Sequence, residues 1–272
     1  QYGDWNVTPT FFQHGLIPSG YRDRSSVIHD GIDTELCSPI AKKRRSSLEI
    51  RNLSIDLSEK QLVTYVSRSL EPLRGFHSFM RCLPKLLSDR RNVEVVIVGA
   101  RFGTSYGSRH HDRLTWFDAL SDEIQLKSQS WCNQVHFTDQ IPYPDYRVLL
   151  QASDCHVYLT YPFVLSWSCL EAMSFGCPIV ASDTEPVREV IIHEENGLLV
   201  DFFDYQSIAD SIWLMLDNRQ RALEMGRQAR ETIIQRYERT MCIERYLQLV
   251  EDLLQSNNDV RHQHHSLHRQ DM

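Results

Sequence analysis

Three observations predict an α/β fold built on a doubly wound parallel sheet of Rossmann-like type. Short β-branched or apolar runs alternate with amphipathic helical patterns from Gln61 to Leu254. Most of these runs have the length and near-continuous apolar character of strands buried on both faces. They number six, enough for one complete doubly wound domain with right-handed crossovers and too few for two.

The predicted strands are Gln61–Ser67, Val93–Gly99, Gln134–Thr138, Cys155–Thr160, Pro178–Ser182 and Gly197–Asp201. Helical spacing places helices at Gly75–Ser88, Asp112–Ser128, Pro144–Ala152, Ser166–Phe175 and Glu185–Ile192, then Gln206–Leu216, Arg219–Tyr237 and Cys242–Leu254. Residues 1–26, punctuated by Pro9, Gly15, Pro18 and Gly20, read as irregular. Val27–Thr34 reads as a short strand entering a glycine turn. The polar stretch 38–58, with its basic run Lys42–Arg45, reads as a solvated loop; membrane-surface contact is the other reading of that run. From Gln255 to Met272 the chain has little apolar content and four histidines, His262, His264, His265 and His268. This predicts a disordered polar tail, with metal binding as the other reading.

Composition narrows the function. The 272 residues are 42% hydrophobic and 24% charged, as in a soluble globular protein. A net charge of −7 and a pI of about 5.9 argue against a nucleic-acid partner, for which a basic domain is the expected footprint. Seven scattered cysteines form no Cys-x-x-Cys pair and sit largely in apolar runs, which predicts reduced, buried thiols and a cytoplasmic location. No apolar run approaches the ~18 residues of a membrane span. The chain opens at Gln1 with no recognisable first strand, and the expectation is a fragment of a longer protein.

Ligands of open α/β sheets sit at the carboxyl ends of the strands, which selects the residues to weigh. After the fourth strand comes Tyr161-Pro162-Phe163-Val164-Leu165-Ser166-Trp167-Ser168, then Glu171 one turn into a helix. Free N–H groups and partial positive charge at that helix start favour a phosphate. A carboxylate one turn in reaches a neighbouring hydroxyl, and anion plus hydroxyl describes a nucleotide. Ser168-x-x-Glu171 equally fits a capping box, in which Glu171 only closes the helix end. Arg68 ends the first strand and Arg74 opens the following helix, a spacing suited to gripping a diphosphate. Gly99 ends the second strand, but Ala100, Arg101 and Phe102 follow, so the dinucleotide fingerprint Gly-x-Gly-x-x-Gly is absent and a nicotinamide site is weakly supported. Trp167 either packs in the core, the favoured place, or shapes the ligand pocket.

These segments resemble the C-terminal, donor-binding domain of the family 4 (group 1) glycosyltransferases, retaining enzymes of GT-B fold. The carriers are Glu171-Ala172-Met173 with Gly176-Cys177-Pro178-Ile179-Val180, Arg68 with Arg74-Gly75, Asp30-Gly31-Ile32-Asp33, and Asn196-Gly197-Leu198-Leu199-Val200. The resemblance implies residues 1–35 as a remnant of the N-terminal half with its linker, 36–254 as the nucleotide-sugar-binding domain and 255–272 as the tail. It implies Arg68, Arg74 and Glu171 as catalytic, and Gly99, Ile141, Phe163, Leu165, Ser166, Trp167, Ser168 and Glu171 around the donor, with the loop Phe137–Pro142 cradling the base. Two positions depart from the pattern: Arg74 stands where Lys is usual, and Phe163 stands where the first of two Glu residues contacts the donor sugar. Tyr161 and Asp183 are the nearest substitutes for that contact.

The function so implied is transfer of a hexose, with retention, from a UDP- or GDP-sugar to a glycan or lipid-linked acceptor in polysaccharide biosynthesis. It needs no essential metal or other cofactor, and its location is cytoplasmic or peripheral at the membrane. The acceptor site would lie in a missing N-terminal GT-B domain, leaving the isolated chain able to bind nucleotide but nearly inactive. A non-catalytic nucleotide-sugar-binding module, a GT-B nucleotide-sugar epimerase and a dinucleotide oxidoreductase are the rivals.

Overall fold

The computed structural model describes residues 5–40 and 46–267, with side chains as far as residue 255. The basic run Lys42–Arg45 and His268 lie outside the described residues, as do the side chains of His262, His264 and His265.

The strands are β1 (Asn6–Thr8), β2 (Ser25–Val27), β3 (Ser47–Ile50), β4 (Leu53–Asp56), β5 (Gln61–Ser69), β6 (Val93–Ala100), β7 (Val135–Thr138), β8 (Cys155–Tyr158), β9 (Ile179–Ser182) and β10 (Leu198–Val200). The helices are α1 (Phe11–Gly15), α2 (Ser19–Arg22), α3 (Phe76–Leu87), α4 (Trp116–Glu123), α5 (Tyr143–Ala152), α6 (Trp167–Ser174), α7 (Glu185–Arg188), α8 (Tyr205–Asp217), α9 (Arg219–Arg236) and α10 (Arg239–Leu267). The last six strands form one parallel sheet in the order β10-β9-β8-β5-β6-β7. The chain winds outward from β5 through β7, then returns to lay β8 against the other side of β5. That reversal, at β5/β8, is the topological switch point at which ligands of such sheets bind.

β5 is central because both its faces are apolar: Leu62, Val63 and Tyr65 are at most 1% exposed. Tyr65 stacks on Phe79 of α3, ring centroids 4.9 Å apart. The polar exception is Thr64, whose hydroxyl pairs with His156 Nδ1 across the β5–β8 register at 2.9 Å. On one face α3 packs on α8; on the other α6 packs on α9. The second contact has no room for a side chain: a Cβ on Gly226 would lie 2.2 Å from the Gly176 carbonyl oxygen.

The ends of the chain depart from expectation. Within the stretch 1–26, expected to be irregular, the described residues from 5 onward carry β1, α1, α2 and the start of β2, with β1 and β2 parallel. Glu189 accepts from the free N–H groups of Phe11 and Phe12, at 2.9 and 2.7 Å, and so docks α1 on α7. The expected strand at Val27–Thr34 is confined to Ser25–Val27; Ile32 instead bridges to the α9–α10 junction, exchanging backbone bonds with Tyr237 and Arg239. The stretch 38–58 contains the β3–β4 hairpin, whose Leu48, Ile50 and Ile55 join the core beside α5. A period-2 pattern of only four residues per strand is easily read as a polar loop. Asp112–Ser128 shortens to α4 and a single 3-10 turn, and Glu185–Ile192 to α7. The backbone expected as a disordered tail is helical to Leu267.

All seven cysteines are free, with six buried and Cys132 partly so. Burial pushes the thiols of Cys82, Cys155, Cys169 and Cys177 above the ordinary range, so none is poised as a nucleophile. Among the described residues no helix is long and apolar enough to cross a membrane.

Candidate functional site

At the switch point lies a cleft of about 650 Å³, in the size range of small-molecule sites. β5 contributes Val66, Ser67 and Arg68; β8 contributes Tyr158; the turn into α3 contributes Arg74. The loop after β7 and the start of α5 contribute Gln140, Ile141, Tyr143 and Tyr146. The start of α6 contributes Ser166, Trp167, Ser168 and Glu171.

Arg74 is only 8% exposed. Its position is built by a 3-10 turn, Pro72–Arg74, closed by Gly75 in the left-handed region at φ +72°. A side chain at Gly75 would also strike Leu159, at 2.2 Å. The Tyr65 hydroxyl donates to the Arg74 carbonyl at 2.6 Å, fixing the backbone. The guanidinium lies between two aromatic rings, 4.8 Å from the Tyr106 centroid and 5.0 Å from that of Phe163. Its side chain makes a long bond, Nη1 to Thr160 Oγ1 at 3.4 Å, which leaves most of its five donors for a ligand. Tyr106 is held by a buried carboxylate. Glu71 Oε2 accepts from the backbone N–H groups of Ser105, Tyr106 and Gly107 at 3.2, 3.2 and 2.9 Å. Arg68, by contrast, is exposed at the cleft wall.

α6 begins at Ser166, whose extended backbone (φ −88°, ψ 151°) turns the chain into the helix. No side chain caps its first-turn N–H groups. The Ser166 and Ser168 hydroxyls bond each other at 2.8 Å, and the Ser166 N–H is held by the Tyr158 hydroxyl at 3.1 Å. The uncapped helix start and two guanidinium groups share one cleft, an arrangement suited to an anion. Glu171 does not close a capping box: its Oε1 accepts from the Tyr143 hydroxyl at 2.9 Å. Burial raises the Glu171 carboxyl above its ordinary range, with the tyrosine hydroxyls opposing the shift. Cys37 Sγ lies 3.2 Å from the Tyr143 hydroxyl. An ionised Glu171 can only accept, so Tyr143 donates to it and Cys37 donates to Tyr143. The Cys37 segment is tied down by Arg230, which donates to the carbonyls of Cys37, Thr34 and Ser174 at 2.9, 3.1 and 2.5 Å.

Arg68, Arg74, Ile141, Ser166, Trp167, Ser168 and Glu171 of the expected set are thus brought to one cleft. Three are not among its lining residues. Gly99 lies in β6 beside β5, where a Cβ would meet Ser67 O at 2.9 Å and Leu70 Cδ2 at 2.8 Å, so no side chain fits there. Leu165 is 2% exposed and belongs to the core under α6. Phe163 turns onto Arg74. Trp167, expected in the core, is 56% exposed on the cleft rim because the α6 start faces outward there. Neither candidate substitute for the sugar contact lines the cleft: Asp183 is engaged by Arg188 at 2.5 and 2.7 Å, and Tyr161 packs toward Phe202. Sequence reasoning missed Glu71, Tyr106, Tyr143 and Tyr146. Tyrosines in the first turn of a helix read as core, and only the folded sheet shows which strand end they face. Among the described residues no group of three or more His, Cys, Asp or Glu side chains is placed to hold a metal ion.

Residues 50–232, about two thirds of the chain, match the family described as glycosyl transferases group 1. The chain belongs to this family. Residues 1–37 of this group 1 chain also match the description glycosyl transferase family 4 group. A D-inositol 3-phosphate glycosyltransferase of Corynebacterium efficiens is 27% identical over 211 residues, covering 77% of this chain and 46% of that protein. The group 1 chain therefore spans about half the length of the curated relatives it matches. Sucrose-phosphate synthase from Thermosynechococcus elongatus superposes with a TM-score of 0.73 at 18% identity, over 94% of this chain and 59% of that one. HepE of Anabaena, solved in complex with UDP, does so with 0.73 at 19% identity, over 92% and 64%. These likenesses establish the GT-B glycosyltransferase half-fold for the six-stranded parallel sheet.

Proposed function

We propose that the cleft binds the nucleoside diphosphate part of a nucleotide-sugar donor. On this reading the chain is the donor half of a retaining hexosyltransferase acting in polysaccharide or other glycan assembly. The observation that carries the reading is the convergence of Arg68, Arg74 and the uncapped start of α6 on one cavity with Glu171. The solved complexes of HepE with UDP and with UDP-glucose support it by likeness of fold.

In the proposed role Arg74, held between its two rings, and Arg68 take the diphosphate. They neutralise the charge that builds on it as the glycosidic bond breaks. The α6 amides add fixed dipoles that need no reorganisation. Glu171 holds the ribose hydroxyls and so orients the donor without touching the reacting carbon. An N-terminal half would supply the glycan or lipid-linked acceptor, and the 272-residue chain would bind nucleotide with little or no transfer.

Calorimetric titration of the chain with UDP, GDP, ADP and NAD tests this, beside the Arg68→Ala/Arg74→Ala variant. The expected result is binding of one nucleoside diphosphate, lost in the variant. A folded chain that binds none of the three, or one whose binding survives loss of both arginines, rejects the assignment.

A further inference from the structure

A second cavity, of about 440 Å³, lies between α3, α4 and the β10–α8 connection and shares no lining residue with the switch-point cleft. His77 and Arg81 line it from successive turns of α3, Glu123 from the end of α4, and Phe203 and Tyr205 from the connection after β10 and the start of α8. Its ionic groups cancel: Arg81 Nε and Nη2 donate to Glu123 Oε1 and Oε2 at 2.6 and 2.9 Å. Burial lowers the His77 imidazole below its ordinary range, so it is uncharged near neutrality. Hydrogen-bonding capacity is left over all the same. Arg81 keeps its Nη1 hydrogens, each Glu123 oxygen keeps a lone pair, and a neutral imidazole both donates and accepts. The remaining wall is aromatic, with Phe203 65% exposed and Tyr205 exposed beside it. One exposed phenylalanine on a surface is ordinary, but this ring lines a cavity that also carries donors and acceptors. A wall with no unpaired cation does not select a phosphate. Donors and acceptors beside an apolar ring face match a pyranose, which has hydroxyls around its edge and C–H groups on its faces. Packed rings lead from the cavity back toward the cleft. His77 lies 5.4 Å from Phe202, and Phe202 lies 6.3 Å from Tyr161, between ring centroids. The Phe163 N–H donates to the Tyr161 carbonyl at 2.8 Å, and the Phe163 ring stands on Arg74.

We propose that this cavity is a second binding site, for a neutral saccharide whose ring stacks on Phe203 while its hydroxyls bond Arg81, Glu123 and His77. The site uses neither Arg68 nor Arg74 and stands apart from the donor reading. A saccharide longer than the cavity meets the exposed Tyr161 next, on the side of Arg74, so the site holds a glycan chain beside the cleft and does not react with it.

The test is a saturation-transfer NMR titration of the full 272-residue chain with maltotetraose, cellotetraose and mannotetraose at millimolar concentration, with a hyaluronan tetrasaccharide as the anionic control. At least one neutral tetrasaccharide should bind, and the anionic one should not. Phe203→Ala should weaken that binding at least about tenfold, the loss expected for removing one stacked aromatic face. Arg81→Gln/Glu123→Gln keeps the shape of the pair but replaces charged hydrogen-bond partners by neutral ones, and should weaken it about tenfold. Phe203 is exposed, so its variant should keep the wild-type melting temperature and the wild-type affinity for UDP. A tetrasaccharide held through Phe203 by a chain that fails to bind UDP rejects the donor reading and still supports this site. The site is overturned if the folded chain binds no neutral tetrasaccharide or prefers the anionic one. It is equally overturned if both variants bind within about twofold of wild type, or if Phe203→Ala loses UDP as well.

Discussion

Replacing Phe163 by Leu tests whether the aromatic clamp on Arg74 serves binding. The substitution keeps an apolar side chain of similar reach but removes the ring face that stands 5.0 Å from the guanidinium carbon. Cation–π contacts contribute about 0.5–1 kcal/mol when exposed and about 2 kcal/mol when desolvated. Arg74 is 8% exposed, so each ring belongs toward the upper end, at about 1–2 kcal/mol. Tyr106 remains on the other side at 4.8 Å, so the guanidinium is loosened rather than released. If that orientation is what a diphosphate needs, Kd for the bound nucleotide should rise about 5- to 30-fold. Calorimetry at fixed ionic strength reads this, with the melting temperature as a check that the fold is kept. Tyr106→Leu should behave alike. An unchanged Kd would show that the rings only fill space. A tighter one would show that they compete with the ligand for the guanidinium, and either result refutes the clamp argument.

Three further outcomes are expected. Glu171 is a partly buried carboxylate with a raised pKa, so its contribution to stability is full below the ordinary carboxylate range and is lost as pH rises through the folded value. Glu171→Gln should therefore raise the melting temperature of the unliganded chain at pH 7 while weakening nucleotide binding about 10- to 100-fold, and a fall in melting temperature with unchanged affinity would contradict this. His156 is buried and its pKa is lowered to about 3 by desolvation, so the unfolded chain takes up a proton below pH 6.5 that the folded chain refuses. Stability should decline by about 1.4 kcal/mol per pH unit below 6.5, near 2 kcal/mol at pH 5, and denaturant titrations of His156→Gln should show a shallower slope over that range. Gly226→Ala would force a methyl against the Gly176 carbonyl, where both partners are backbone, and should cost about 1–3 kcal/mol in a denaturant titration.

Much of the architecture is legible because it depends on local pattern. Continuous apolar runs at β5, β6, β8 and β9 can be satisfied only by strands covered on both faces, and the intervening 3.6-residue periodicity supplies the covers. The positions of Arg68, Arg74, Ser166, Ser168 and Glu171 follow, since each lies at the end of a strand or in the connection after it, and strand ends converge in a parallel sheet. What local pattern cannot express is which loops meet. Loop 101–115 follows β6, yet Glu71, at the end of β5, draws its N–H groups in and so sets Tyr106 against Arg74. Phe163, a departure from the family's carboxylate when seen along the chain, becomes the second face of the same clamp.

By itself, then, the sequence determined the parallel sheet, the family and the charged groups at the strand ends, because these rest on periodicity and on spacing within single segments. Only the tertiary structure decided the surroundings of those groups. Placing Tyr106 and Phe163 on Arg74, and Tyr143 and Tyr146 beside Glu171, brings together residues 25 to 89 positions apart. Their meeting follows from the strand order at the switch point rather than from any neighbour in the chain.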